Sequence, residues 1–406
     1  MDCGIQPTIR TNKGISTNFN LCTIKKSNPL YKKLDKLCFL SKNLYNSALY
    51  TVRQYYFDNK KYINWININN QFVKSKQPDY YNLPCQVSQQ TLRMVDQNMK
   101  SFFNALKTKN SKPRLPKYLD KTNGRFFVTY TNQAISKTEL KNGYVAFYKT
   151  NIKIKTKVQN VQQVRIVQQN NVIVVEVLYK VDCKSVISDI KKYCGVDFGL
   201  NNLMSCEFND TRPLIINGKP LKSINWHYNK RKAELQSLLK NKHTSNRINN
   251  LTIKRNNKVN NYLHKASRMF INYLVSNDIT DIVVSYNKEW KQGIKLGKVN
   301  NQNFVNIPYY KLLNMITYKC ELLGITVHIT EESYTSKCSF LDNEDVCKHN
   351  KYKGKRIKRG LFQASDKRLI NVDINGALNI LKKVIGKYKY DPIMVCSMPL
   401  VLQPKN

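Results

Sequence analysis

The sequence predicts a multidomain α+β protein: an N-terminal β-barrel interrupted by a helical bundle, then an α/β domain built on a mixed sheet. Three observations predict it. The chain has 406 residues, room for two or three domains at the usual ~100–200 residues each. Its apolar periodicity changes along the chain, from helical spacing to strand chemistry and then to an alternation of the two. At 41% hydrophobic and 11% aromatic it has material for a core, which excludes global disorder.

Residues 31–123 carry helical stripes such as Leu37, Leu40, Leu44, Ala48 and Val52, then Leu92, Val95, Met99, Phe102 and Leu106, and Pro113 and Pro116 end the block. From 124 to 185 the runs RFFVTYT, YVAFYK, IKIKTKV and VIVVEVLYKV are rich in β-branched and aromatic residues, the composition of a small antiparallel sheet or barrel. Residues 1–30 supply a further strand, so the helical block reads as an insertion between strands of one barrel. Between 186 and 385 the pattern predicts strands at KKYCGVDFGL, NNLMSCEF and Pro213–Ile216, long helices over 223–276, a strand at DIVVSY, a helix over Pro308–Leu323, a strand at ITVHIT, a basic loop and a last helix over Asn371–Val384. That βββαβαβα order is the order of the ribonuclease-H-like fold. Residues 386–406 form a C-terminal tail.

Charge narrows the function. Lys+Arg 68 against Asp+Glu 26 leaves a net +42, too basic for an ordinary metabolic enzyme. Self-repulsion of this size calls for a polyanion, and 25 Tyr and 15 Phe spread among the cations point to nucleic acid ahead of a membrane surface. No apolar run approaches the ~20 residues of a spanning helix, and the first thirty residues lack a signal-peptide segment. An odd 11 cysteines without a CxxC pair read as reduced thiols inside a cell. The Lys, Asn, Ile and Tyr bias points to an AT-rich genome. The expected compartment is the cytoplasm of a prokaryote, or the nucleus or viral factory of a eukaryotic or viral host.

Two acids stand where acids are costly. Asp197 sits inside the apolar strand Cys194–Gly199, and a lone carboxylate there needs a partner or a cation. Asp373 shares a helix face with Ala377 and Leu381 in INVDINGALNILKKV, so it too points at the sheet. Each alone is a capping or turn aspartate; together they describe one shared metal site.

GVDFGLNN, INVDINGALNI and EESYTSKCS resemble the first and third RuvC motifs and the TSK segment of the TnpB proteins of insertion sequences and their Fanzor relatives. LPCQVSQQTLRMVDQNMKSFFNAL with KPRLPKYL resembles that family's recognition helices more weakly. The resemblance implies an RNA-guided DNA endonuclease with a wedge-like barrel (1–30 and 124–185), a helical recognition domain (31–123) and a RuvC-like nuclease domain (186–385). Its partners would be a guide RNA from the transposon end and target double-stranded DNA, with no membrane.

One motif departs from the family. Where the fourth strand usually ends in glutamate, this chain has Ser285. Some relatives relocate the acid to just before TSK, which offers Glu332, three residues before Thr335, with Glu331 and then Glu289 as fallbacks. Three carboxylates suit Mg²⁺ or Mn²⁺. Two such ions ~4 Å apart would activate water and stabilise the leaving oxygen, with Asp197 bridging both and Glu332 and Asp373 holding one each. Most relatives also carry a four-cysteine zinc finger. Here the insert 338–370 offers only Cys338, Cys347 and His349, which do not close a tetrahedral site, so structural zinc is not expected.

Nucleic-acid contacts are expected from Lys337 of the TSK segment, from Trp290 and Lys291 after the fourth strand, and from Lys351, Lys353, Lys355, Arg356, Lys358 and Arg359 in KYKGKRIKRG. The alternatives to a guided endonuclease are a nuclease-inactive, RNA-guided DNA-binding repressor and an unguided DNA-binding accessory of transposition.

Overall fold

The computed structural model describes residues 15–107, 113–183, 190–239, 243–287, 297, 302, 305–358, 360–386 and 398–404, with backbone alone for 15–20. Glu289, Trp290, Lys291 and Arg359 lie outside the described residues, as does most of the 386–406 tail. The chain divides into two units, Thr17–Val181 and Asp182–Asn406 with Met1–Ser16.

In the first unit, β1 (Ile15–Lys25) is followed by the helices α1 (Leu30–Asn59), α2 (Trp65–Lys74), α3 (Pro78–Tyr81) and α4 (Cys85–Leu106) before β2 (Val128–Thr131) begins. Leu34, Cys38, Tyr45, Ala48 and Val52 of α1 recur at helical spacing and are buried together with Leu92, Val95 and Met99 of α4. Each fully buried aliphatic contributes about 1.5–3 kcal/mol. The short α5 (Lys137–Lys141) precedes the hairpin of β3 (Tyr144–Ala146) and β4 (Lys153–Lys155). Strands β5 (Val161–Gln169) and β6 (Val172–Asp182) form a second hairpin, turned at Asn170, whose φ of 51° an asparagine tolerates. The main sheet runs β1-β6-β5-β2, and its hydrogen-bonded order has two ends among the described residues.

The second unit carries a six-stranded mixed sheet. Strands β7 (Tyr193–Phe198), β8 (Asn202–Phe208) and β9 (Leu214–Asn217) are antiparallel neighbours. Helices α6 (Lys219–Ser237) and α7 (Asn246–Ser276) follow. Strand β10 (Asp281–Ser285) joins β7 in parallel. After α8 (Tyr309–Glu321), β11 (Thr326–Thr330) joins β10 in parallel. Strands β12 (Lys355–Lys358), β13 (Leu361–Gln363) and β14 (Leu369–Asn371) make a small separate sheet that runs into α9 (Val372–Ile385). Strand β15 (Leu400–Leu402) closes the order β11-β10-β7-β8-β9-β15.

Apolar alternation on these strands fills both sides. Leu214 and Ile216 pack with Val259, Leu263 and Phe270 of α7 and Leu312 and Ile316 of α8. Ile215 packs with Ile374 and Leu378 of α9 on the opposite face. Among the described residues, no helix is long and apolar enough to cross a membrane.

Candidate functional site

The site begins where α9 crosses β7. Gly195 faces the Ala377 carbonyl so closely that an added Cβ would lie 2.3 Å from it, and a Cβ on Gly376 would lie 3.1 Å from Asp197 Oδ2. Two missing side chains therefore let the helix settle onto the strand and bring its N-terminal turn over Asp197. Asn371 caps that turn by accepting from the Asp373 and Ile374 N–H groups. Asp373 sits in the first turn, where the helix dipole favours a carboxylate. Its Oδ2 accepts from Asn202 Nδ2 at 2.6 Å.

The third acid arrives through strand register. Parallel pairing sets Ser285 of β10 opposite Thr330 of β11, and Glu332 follows two residues beyond. Ser285 is buried, and its hydroxyl donates to Asp197 Oδ1 at 3.5 Å. Asn287 Oδ1 accepts from the Glu332 N–H at 3.2 Å, fixing the backbone there. Among the described residues, Glu332 Oε2 is buried without a hydrogen-bond partner. Glu331 behaves differently: it is exposed, and its carboxylate takes Lys383 Nζ at 3.3 Å and the Ser333 hydroxyl at 3.1 Å. The two neighbouring glutamates thus face different surroundings.

Electrostatics link the three acids. Close packing around the Asp197 carboxyl pushes its pKa well above the ordinary carboxylate range, and the charges of Glu332 and Asp373 push it further. Burial raises Glu332 as well, eased by the Lys383 ammonium and the Ser285 hydroxyl. Lys383 and Ser333 instead hold the exposed Glu331 below its usual value. Tyr309, whose hydroxyl donates to the Gly199 carbonyl at 3.0 Å, is raised by burial and then by Asp197 and Glu332.

An oxygen-donor set with an orphaned, buried carboxylate atom has the chemistry for a hard divalent cation. The side chains do not close around one: among the described residues, no three His, Cys, Asp or Glu side chains form a group able to hold an ion. Asp373 is turned to Asn202 instead. The donor chemistry fits such an ion.

The TSK segment is fastened to α9 by two buried amides missed by the sequence reading. Asn379 Nδ2 donates to the Thr335 and Cys338 carbonyls, and Asn375 bonds the Cys338 carbonyl and the Phe340 N–H. Their signal was present as two amides four residues apart in the apolar middle of the helix. Lys337 is left exposed on this loop.

Beyond it, Glu344 is buried and accepts from the Ser339 and Lys353 N–H groups at 2.8 and 2.9 Å. Cys338 is buried, its Sγ 3.5 Å from the Cys347 carbonyl. Cys347 is exposed, its Sγ 3.4 Å from His349 Nε2. Lys351, Lys353, Lys355, Arg356 and Lys358 are all exposed, the last three on β12.

Two family models match parts of this chain. Residues 165–291, which hold Asp197 and Ser285, match the family described as OrfB_IS605, "Probable transposase". Residues 309–380, which hold Glu332 and Asp373, match the "Cas12f1-like, TNB domain". The chain is 28% identical over 210 residues to the TnpB-like protein ORF457 of Acidianus two-tailed virus, covering 48% of this chain and 42% of that protein. It is 27% identical over 209 residues to the CRISPR-associated endodeoxyribonuclease Cas12f2 of a Micrarchaeota archaeon, covering 47% and 37%. The matched region thus spans about two fifths of each relative's length.

A solved structure of a Cas12f1-sgRNA-target DNA complex shares the multidomain α+β fold, with a TM-score of 0.56 at 14% identity over 86% of this chain and 82% of that one. Two family matches that between them contain all three acids, together with a TnpB-like relative, make residues 165–380 of this chain similar to the TnpB proteins.

Proposed function

We propose that this protein is an RNA-guided DNA endonuclease that hydrolyses phosphodiester bonds at Asp197, Glu332 and Asp373 with Mg²⁺ or Mn²⁺ held among them. The observation that carries the reading is the packing of the first turns of α9 onto the Asp197 carboxyl, whose pKa is raised first by burial and then by Glu332 and Asp373. A fold keeps such a costly cluster where it has work for it. A bound divalent ion would neutralise the three charges and lower the pKa of an attacking water. The chain's own contribution is placement. Ser285 leaves the space a glutamate would fill and hydrogen-bonds Asp197, Glu332 approaches from the end of β11, and Asn202 orients Asp373.

Three antiparallel strands extended in parallel by two more, with α9 over the first, support a ribonuclease-H-like, RuvC-type domain over 186–385. Helices lying between β1 and β2 support a recognition insertion, 31–123, in a wedge-like domain of 1–30 and 124–185. The net charge of +42 supports a nucleic-acid partner, and the fold is shared with a protein solved with sgRNA and target DNA. Guide pairing would then read the target, and side chains a short flanking motif. The transposase-type family match supports a guide encoded at the transposon end. The β12 cations would grip phosphates, and Glu344 ties the insert together by accepting from the Ser339 and Lys353 N–H groups.

One observation favours a second reading. Ser285 replaces the usual acid, and the carboxylates are not closed around an ion position, as a guided but nuclease-inactive repressor would have it. To test the leading reading, the protein is purified after expression with its native flanking DNA, and the RNA that survives a high-salt wash is sequenced. A discrete RNA from the element's end that programs Mg²⁺-dependent cutting supports it. Discrete RNA without cutting selects the repressor, and fragmented cellular RNA alone selects an unguided binder.

A further inference from the structure

Helices α6 and α7 carry five and six Lys or Arg residues against one acid, Glu234, which Arg231 already pairs. On α6 only Leu221 and Asn225 are buried. Trp226 is 62% exposed, and the Lys230 ammonium lies 5.5 Å from its ring centroid. Lys219, Trp226 and Lys230 are spaced by seven and four residues, so they share one face, about 10 and 6 Å apart along the axis. An indole left in water between cations is the composition of a base-stacking platform.

The platform is rigid. Arg255 of α7 reaches across to Asn225 Oδ1 at 2.8 Å and to the Asn306 carbonyl at 2.6 Å, with its guanidinium 5.6 Å from the Tyr228 ring centroid. Lys222 donates to Asn201 Oδ1 at 2.8 Å. The hairpin packs through Leu221, Val259 and Leu263 on one face of the sheet, whereas α9 and the Asp197 carboxyl occupy the other. A strand lying on α6 would therefore lie on the face of the sheet opposite the Asp197 carboxyl. The surface fits a polyanion that the protein keeps.

We propose that Lys219, Trp226 and Lys230 form a docking surface for an unpaired stretch of guide RNA, the indole stacking on one base and the lysines meeting the flanking phosphates. The assignment rests on the RNA-guided reading. Unpaired RNA offers its base faces to aromatic side chains, whereas paired RNA does not.

The test is ultraviolet crosslinking of the full-length protein purified with its own co-purifying RNA, followed by mass spectrometry of nucleotide-bearing peptides. The expected adduct is on the α6 peptide at Trp226. Trp226→Leu should lose that adduct and shed about tenfold more RNA in a salt wash, the worth of one stacked base. Trp226→Phe, which keeps a ring, should retain most of it. An unchanged melting temperature in both variants, as expected at an exposed site, separates the effect from misfolding.

Full RNA retention by Trp226→Leu, or adducts only elsewhere in the chain, would overturn the docking surface and leave the guided reading standing. An α6 adduct to DNA alone, found after target is added, would overturn it in favour of the displaced strand. If the native protein carries no discrete RNA, the guided reading fails and this surface with it.

Discussion

Removing one carboxylate from the acid cluster should stabilise the protein while removing its chemistry. The Ser285 hydroxyl donates to Asp197 Oδ1 at 3.5 Å and eases Glu332 on its other side. Like charges on neighbouring carboxylates repel by on the order of a few kcal/mol at an effective dielectric constant of about 20. Partial solvent access and proton uptake reduce this, so Asp197→Asn should gain about 1–3 kcal/mol in EDTA. For a unit of this size that is a rise of about 2–10 °C in melting temperature.

The assay is calorimetry of native and Asp197→Asn protein in EDTA and then in Mg²⁺ or Mn²⁺. The native protein should gain stability on adding metal, because an ion that binds only the folded state stabilises it by mass action. The variant should not respond. A variant less stable than native in EDTA, with no metal response in either protein, would refute the reasoning that the three acids repel one another around an ion position.

Other consequences follow from the same structure. Glu207 is fully buried on β8, and burial raises its carboxyl well above the usual range, opposed by the Phe208 backbone N–H. A raised carboxyl contributes stability that is complete below the unfolded value near pH ~4 and is lost as pH rises through the folded value. Glu207→Gln should therefore be more stable than native by roughly 1–4 kcal/mol at pH 8, with the gap closing toward pH 4 in denaturant titrations; a gap independent of pH contradicts this. Gly376→Ala places a Cβ 3.1 Å from Asp197 Oδ2, so cutting should fall about tenfold or more while bound RNA is unchanged. Replacing Lys355, Arg356 and Lys358 together by Ala should lower the slope of log affinity against log salt by about 2–3, measured by filter binding, and an unchanged slope means that β12 touches no phosphate.

The acids Asp197 and Asp373 were legible because each breaks an apolar pattern whose period is plain, and strands β7, β8, β10 and β11 were legible for the same reason. Three kinds of element were not. Strand β5 is Gln-rich (VQQVRIVQQ), and its ladder comes from pairing with β6 rather than from its own composition. All four residues of β12 are exposed and three are cations, so no buried apolar alternation marks it as a strand, and the sequence reading expected a basic loop there. Strand β15 is three residues long and adds to the sheet only through parallel pairing with β9.

Glu332 lies between these extremes. Its residue type and spacing from Thr335 were readable, but its preference over Glu331 depends on the β10–β11 register and on Lys383, which neutralises Glu331 from α9. Asn202 closes the GVDFGLNN motif, but its contact with Asp373 spans 171 positions of chain and could not be read from sequence.

The most direct measurement is Mg²⁺-dependent cutting of a matched double-stranded DNA by the protein loaded with its co-purified guide, comparing native protein with Glu332→Ala and Glu331→Ala. Glu332→Ala should lose cutting by about a thousandfold, in the range of other groups that act on the transition state, and retain its RNA, while Glu331→Ala stays within a few-fold of native. Equal activity in native and Glu332→Ala would contradict the relocated acid and with it the proposed catalytic centre.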